Sequence, residues 1–339
     1  MINRDQIQII KHLNAFRIWN LIKLKFSFLK AKYFKISKIH GMPYAASIEP
    51  TTACNLGCPE CPSGLKSFTR PTGKMDYASH QTILNSLGKQ LFYINYYFQG
   101  EPFINQNILD FIKVAKSKHI YTSTSTNAHF ITAELAINIV KSGLDRLIIS
   151  IDGATQETYE KYRINGQLDK VINGTKELVK AKKKLKSKTP HLIFQFLVNK
   201  ENEHEINEIK KLSDECEVNE IRLKTIQVYD FEYGNELIPT NQKYSRYQKR
   251  KDGTYQLKNK FLNECWRMWS STVSTWDGNI VPCCFDKDAK HIFGQITANY
   301  SFKEIWFSKT YNQFRTSVFQ NRNQIEICKN CSEGTKVWT

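Results

Sequence analysis

Ser47-Ile48-Glu49-Pro50-Thr51-Thr52-Ala53-Cys54-Asn55-Leu56-Gly57-Cys58-Pro59-Glu60-Cys61-Pro62-Ser63-Gly64 places three cysteines in a C-x3-C-x2-C array, directly after a short apolar run. The donor count decides what such a loop can hold. A structural zinc site closes its tetrahedron with four protein ligands. Three thiolates on a cubane [4Fe-4S] cluster leave one iron without a protein ligand, open to a small molecule. Read alone, the array also suits half of a zinc site.

Several β-like runs follow in alternation with helix-like ones. Strands are expected at 45–49, 93–98, 121–125, 146–151, 193–198 and 221–228, and helices at 80–91, 108–118, 133–142, 168–185 and 205–216. Alternation of this kind predicts parallel strands joined by crossover helices. In such folds functional residues gather at the C-terminal ends of strands. Those ends carry Gln99-Gly100-Glu101-Pro102, Thr126-Asn127, Ser150-Ile151-Asp152-Gly153 and, a little further on, Arg163. Glycine permits close backbone approach, a carboxylate suits an ammonium partner, and an arginine fork suits a carboxylate. Gln195, Asn199, Lys224 and Gln227 on the last two strands are weaker candidates for substrate contact.

The spacing and the strand ends together resemble the radical S-adenosylmethionine (radical SAM) superfamily. That resemblance implies an open, partial (β/α)6 TIM-like barrel. It also implies a [4Fe-4S] cluster on Cys54, Cys58 and Cys61 whose open iron chelates SAM, and reductive cleavage of SAM to a 5′-deoxyadenosyl radical that abstracts hydrogen from substrate. Gly100, Glu101, Asn127, Ser150, Asp152 and Arg163 fall where the family holds SAM. Two departures are visible: Gln99 stands for a usual glycine, and Glu60 for the usual aromatic residue before the third cysteine. No general acid or base can be named.

A second thiol group lies near the C-terminus, where Cys265, Gly278, Cys283, Cys284, Cys328 and Cys331 form a C…G-x4-C…C-x2-C arrangement. Asp277-Gly278 predicts a hairpin turn between two β-rich arms. The arrangement resembles the SPASM or shorter twitch extensions of radical SAM enzymes, which implies one auxiliary [4Fe-4S] cluster on Cys265, Cys283, Cys328 and Cys331. Cys284 is then expected to face away, as neighbours on a strand do. Four thiolates equally suit structural zinc on geometry alone. The expected organisation is a basic helical extension over 1–43, the radical SAM core over 44–231, a connector over 232–254 and a small hairpin-plus-helix iron–sulfur domain over 255–339.

Composition bounds the remaining choices. Of 339 residues, 41% are hydrophobic and 12% aromatic, which argues against disorder. Clustered cysteines with no secretory signal read at the start predict a reducing, cytoplasmic setting and metal rather than disulfides. No apolar run reaches transmembrane length. The formal net charge is +17, and residues 1–40 alone hold nine Lys or Arg against one Asp. Over 5–33 apolar residues recur at helical spacing among these cations, so the segment reads either as packed on the domain that follows or as touching a membrane surface. His119, His129, His191 and His204 have no metal spacing to one another, and Cys216 reads as buried and inert.

These observations point to a radical SAM enzyme acting oxidatively on a peptide or a sugar-like small molecule, with the auxiliary cluster as electron relay. A flavodoxin- or ferredoxin-like donor is implied, and no nucleic acid is expected. A zinc-stabilised nucleic-acid-binding protein is the alternative.

Overall fold

The computed structural model describes residues 4–35, 37–258 and 262–331. Among these, the strands are β1 (Ala45–Ile48), β2 (Tyr93–Asn95), β3 (Tyr121–Thr126), β4 (Arg146–Ser150), β5 (His191–Val198), β6 (Glu220–Thr225), β7 (Tyr247–Lys249), β8 (Tyr255–Leu257), β9 (Ser271–Ser274), β10 (Asn279–Val281) and β11 (Gly294–Gln295). Two compact units are assembled from discontinuous segments. One holds the described residues of 4–53, 68–124 and 262–331, the other those of 54–67 and 125–258.

In the first unit the strand order is β11-β10-β9-β1-β2-β3. β1 pairs parallel with β2, and β2 with β3. Parallel neighbours need a crossover, supplied by helices Tyr77–Leu87 and Ile108–Ser117. Asp76 starts the first of these by accepting from the Ser79 amide at 2.7 Å. Ile108, Phe111, Ile112 and Ala115 form the buried stripe of the second. The predicted hairpin is present as β9 antiparallel to β10, with Gly278 at φ +86° in its turn. It is not set apart from the core strands, because β9 pairs parallel with β1 through Ala45–Ser271, Ala46–Thr272, Ser47–Val273 and Ile48–Ser274. Helices Phe302–Trp306 and Lys309–Asn321 complete the C-terminal part.

In the second unit β4, β5 and β6 are parallel neighbours in that order, and helices Leu168–Lys184 and Ile206–Glu215 make the crossovers. β5 buries Leu192, Ile193, Phe194 and Phe196 completely, the both-faces-covered composition of a parallel strand. The stretch 232–254 is more than a linker. Its Tyr247 opens β7, which pairs antiparallel with β8, and the Tyr247 hydroxyl bonds the Val228 amide at 3.0 Å and carbonyl at 3.2 Å. Tyr247 shares one apolar cluster with Leu56, Cys58 and Tyr162. Cys216 is buried, as expected.

His80 shows what the core asks of a titratable group. It is fully buried, stacked 4.2 Å from the Phe111 ring, with Nε2 on the Tyr96 hydroxyl at 2.8 Å. Burial lowers its pKa from 6.5 to about 3. The neutral ring is therefore favoured on folding, and the stability it supports is complete above pH 6.5 and lost as pH falls. Between pH 7 and pH 5 that loss is about 2 kcal/mol. His80→Phe should flatten this part of the pH dependence, as read by urea unfolding at both pH values; an unchanged slope would place the acid sensitivity elsewhere.

Candidate active site

The cysteine loop belongs to the second unit and is built by short-range constraints. Cys61 precedes a four-residue helix, Pro62–Leu65, with proline at its first position. The Cys61 amide donates to the Cys58 carbonyl at 3.2 Å, and the Gly57 amide to the Ile164 carbonyl at 2.9 Å. A Cβ on Gly64 would lie 2.6 Å from the Cys58 nitrogen, so only glycine lets the helix close against the loop. Cys58 is buried, while Cys54 and Cys61 are half-buried.

Polar residues that follow β3, β4 and the helix Gln156–Tyr162 lie beside these thiols. Asn127 follows β3, and its Nδ2 donates to Asn55 Oδ1 at 2.8 Å and to Cys54 Sγ at 3.9 Å. His129 braces Asn127 in turn, with Nδ1 on the Asn127 carbonyl at 2.9 Å, while its Nε2 accepts from the Gln167 amide at 2.8 Å. Burial is the main reason its pKa lies below the ordinary value, with the Asn127 carbonyl opposing it, and the bond from Gln167 requires the neutral ring protonated at Nδ1.

Arg163 closes the helix Gln156–Tyr162. Its Nη1 donates to Cys58 Sγ at 3.6 Å and its Nε to Asp152 Oδ2 at 2.5 Å. Desolvation works against the Arg163 charge, but Asp152 and Cys58 outweigh it, and the guanidinium holds its proton more tightly than usual. Burial raises the Cys58 thiol, and Arg163 partly opposes this.

Asp152 is fully buried, and its second oxygen accepts from the Leu197 amide at 2.6 Å. Both oxygens are therefore used within the chain, and the residue sets the position of Arg163. Asn199 is likewise buried, with its Oδ1 on the Glu201 amide at 2.9 Å, a structural use and not a lumenal one. Ser150 ends β4, in register with Gln195. Glu60, which replaces an aromatic residue, accepts from the Tyr229 amide at 2.9 Å and from Asn235 Nδ2 at 3.4 Å. It ties the cysteine loop to the segment leading into the β7–β8 hairpin. No local pattern announces a partner 169 residues away.

In the first unit, Gly100 has φ +73°, and a Cβ there would lie 2.3 Å from the Thr51 carbonyl oxygen. The Glu101 amide donates to the Ala53 carbonyl at 2.8 Å, and its buried side chain caps the short turn Pro102–Ile104.

The C-terminal thiols also lie in the first unit. Desolvation first, and then the neighbouring Cys284, Cys331 and Cys265, raise Cys283 well above the ordinary thiol range. Burial pushes Cys328 up to about 11, with Cys331 adding to it. Arg322 donates to Cys331 Sγ at 3.0 Å and feels Cys265 and Cys328 as well. Cys284 packs instead on the Phe98, Val273, Val281 and Ala289 cluster and accepts from Arg267 at 3.6 Å. The strand ends at Val281, so a turn, and not strand alternation, separates the two neighbours.

Among the described residues no three His, Cys, Asp or Glu side chains stand in a ligating arrangement. The fit to iron–sulfur groups rests on thiol-rich donor sets ringed by arginine and amide donors. Such donors stabilise bound thiolates and the charge of a cluster.

Residues 48–213 match the family model of the radical SAM superfamily, and residues 265–332 match that of SPASM, an iron–sulfur cluster-binding domain. The mycofactocin maturase MftC of Mycobacterium tuberculosis is 31% identical over 140 residues, 41% of this chain and 35% of its own, so the chain spans about a third of that relative's length. A tungsten-containing aldehyde ferredoxin oxidoreductase cofactor-modifying protein of Pyrococcus furiosus is 24% identical over 314 residues, covering 84% of this chain and 86% of that protein. Among solved structures, Streptococcus suis SuiB bound to the precursor peptide SuiA aligns with a TM-score of 0.62 at 14% identity, over 92% of this chain and 75% of that one. A zinc-stabilised nucleic-acid-binding protein finds no support in these matches, and the alternation of strands and helices is that of the partial radical SAM barrel. The chain belongs to the radical SAM superfamily, with a [4Fe-4S] cluster and S-adenosylmethionine as its cofactors and a C-terminal SPASM domain for auxiliary iron–sulfur.

Proposed function

We propose that this chain oxidises a peptide, with Cys54, Cys58 and Cys61 as ligands of the catalytic cluster and Cys265, Cys283, Cys328 and Cys331 as ligands of an auxiliary one. When bound, the catalytic cluster supplies the electron that cleaves SAM, and the auxiliary cluster supplies an acceptor for an electron released by the substrate. The chain's own groups hold and orient. Arg163, fixed by Asp152, places a cation against Cys58 that suits the SAM carboxylate. Asn127 keeps the Cys54 side of the loop in place. Gly100 lets its turn approach closely, and Glu101 offers a carboxylate for the SAM amino group. Ser150, at the end of β4, is the ribose-side candidate.

The observation that carries the reading is the pairing of a three-cysteine loop with a buried Asp152–Arg163 ion pair aimed at one of its thiols. The peptide half is supported by the precursor-peptide complex of the S. suis structure and by the maturase relative. A sugar-like substrate is the second choice, since the partial-barrel fold is common to both.

The test is anaerobic reconstitution with iron and sulfide, followed by SAM and a low-potential reductant. Two clusters per chain and formation of 5′-deoxyadenosine are expected. Bound zinc without SAM cleavage would sink the proposal, and a product of unchanged oxidation state would remove its oxidative part.

A further inference from the structure

Helix Ala15–Phe34 turns an unexpected side toward the body of its unit. The packed side carries Arg17, Asn20, Leu24, Ser27, Phe28 and Ala31, three of them polar. Asn20 exchanges hydrogen bonds with the Met42 carbonyl at 2.7 Å and amide at 2.9 Å. Phe28 lies edge-on to Trp266 and Trp269 at 5.1 and 5.4 Å. Arg17 donates to the carbonyls of His12, Lys89, Lys118 and His119. These contacts fix the rotation of the helix about its axis.

The consequence is an apolar stripe facing outward. Ile18, Trp19, Ile22, Phe26, Leu29 and Tyr33 are all exposed, Trp19 at 56% and Tyr33 at 68%. At 3.6 residues per turn they occupy an arc of about 100°. Lysines border it on both sides: Lys23 and Lys30 on one, Lys25 and Lys32 on the other. Lys23 lies 5.6 Å from the Trp19 ring and Lys30 4.6 Å from the Phe26 ring, so the stems follow the aromatic surface while the charges sit at its margin.

Charge decides which occupant suits this face. Between Asp5 and Glu49 the sequence has no acidic residue. Asp5 is buried and bonded to the Tyr121 hydroxyl, and among the described residues Lys32 alone of the bordering lysines pairs with an acid, Glu264, at 2.8 Å. A cleft of about 580 Å³ at the N-terminal end of the helix adds Lys11, His12, Lys89, Lys118 and His119, with no Asp or Glu in its lining. No described helix is long and apolar enough to cross a membrane. An aromatic-rich apolar arc between two rows of lysine suits the boundary of a bilayer, where rings sit at headgroup depth and lysines reach anionic lipid.

We propose that this face of the helix Ala15–Phe34 docks the protein on an anionic lipid surface. The test uses the full-length chain in flotation with phosphatidylcholine–phosphatidylglycerol vesicles and with phosphatidylcholine alone. Partition into the anionic vesicles, weakened by salt, is expected. Lys23→Glu with Lys30→Glu should reduce it at least about tenfold. Trp19→Ser with Phe26→Ser should abolish it and leave circular dichroism and SAM cleavage unchanged, because both side chains point away from the packed side. Equal partition into neutral vesicles, no partition at all, or full binding by the Trp19/Phe26 variant would overturn the proposal. So would a wild-type dimer in light scattering that the same variant converts to monomer, which would assign the face to a second copy of this chain.

Discussion

Replacing Cys54, Cys58 and Cys61 together by alanine should abolish 5′-deoxyadenosine formation and remove about half of the reconstituted iron, the share of one of two equal clusters. The chain should stay folded. The loop's backbone is held without the thiols, by the Gly57 amide on Ile164 and by the close fit of Gly64 against Cys58, and Leu56 and Tyr162 remain in the apolar cluster. Each deleted sulfur removes little apolar volume, so the cost in stability should be about 1–2 kcal/mol. Iron analysis, the visible absorption of the remaining cluster and an assay for 5′-deoxyadenosine read the result together. Full iron content with activity lost would mean that these thiols act without ligating. Loss of all iron would mean that the C-terminal quartet does not hold a cluster by itself. The Asp152–Arg163 pair should survive unchanged, since the bond between them does not depend on sulfur.

Arg70→Met is expected to be the most destabilising single substitution. Glu49, at the end of β1, is fully buried, and its carboxylate is held bidentately by Arg70 at 2.6 and 2.9 Å, with the Trp276 amide adding a bond at 3.1 Å. Burial raises the Glu49 pKa even with Arg70 opposing it. Removing the guanidinium leaves a buried carboxylate without its counter-charge, a loss of about 3–5 kcal/mol. The unpaired acid would fold only after taking up a proton, so the loss should grow as pH rises. Urea unfolding at two pH values checks both points. The double variant Glu49→Gln with Arg70→Met should recover much of the loss, because no uncompensated charge remains. A single variant as stable as the wild type would mean that water or another cation reaches Glu49.

Much of the architecture was legible because it is local. The helix expected over 168–185 is observed at Leu168–Lys184, since its apolar period, Leu168, Val171, Leu178 and Ala181, needs no distant information. The strand over 146–151 is found at Arg146–Ser150 for the same reason. The three cysteines of the loop stand out in the sequence as candidate donors because spacing alone counts them. The turn at Asp277-Gly278 needed only a residue that accepts positive φ.

What only the tertiary structure decided lies in contacts between residues far apart in the chain. That Asp152 bonds the Leu197 amide with one oxygen and Arg163 with the other is seen only in the folded chain. The parallel pairing of β9 on β1 joins residues more than 200 positions apart, and no propensity encodes such a partner. The N-terminal helix shows the limit most clearly. Its residues are apolar on more than one side, so periodicity predicts a helix but not the face it buries. That face was chosen by Asn20 and Arg17 finding carbonyl partners and by Phe28 finding two tryptophans. Buried polar groups must be paired, and this requirement, more than hydrophobicity, turned Trp19 and Phe26 outward.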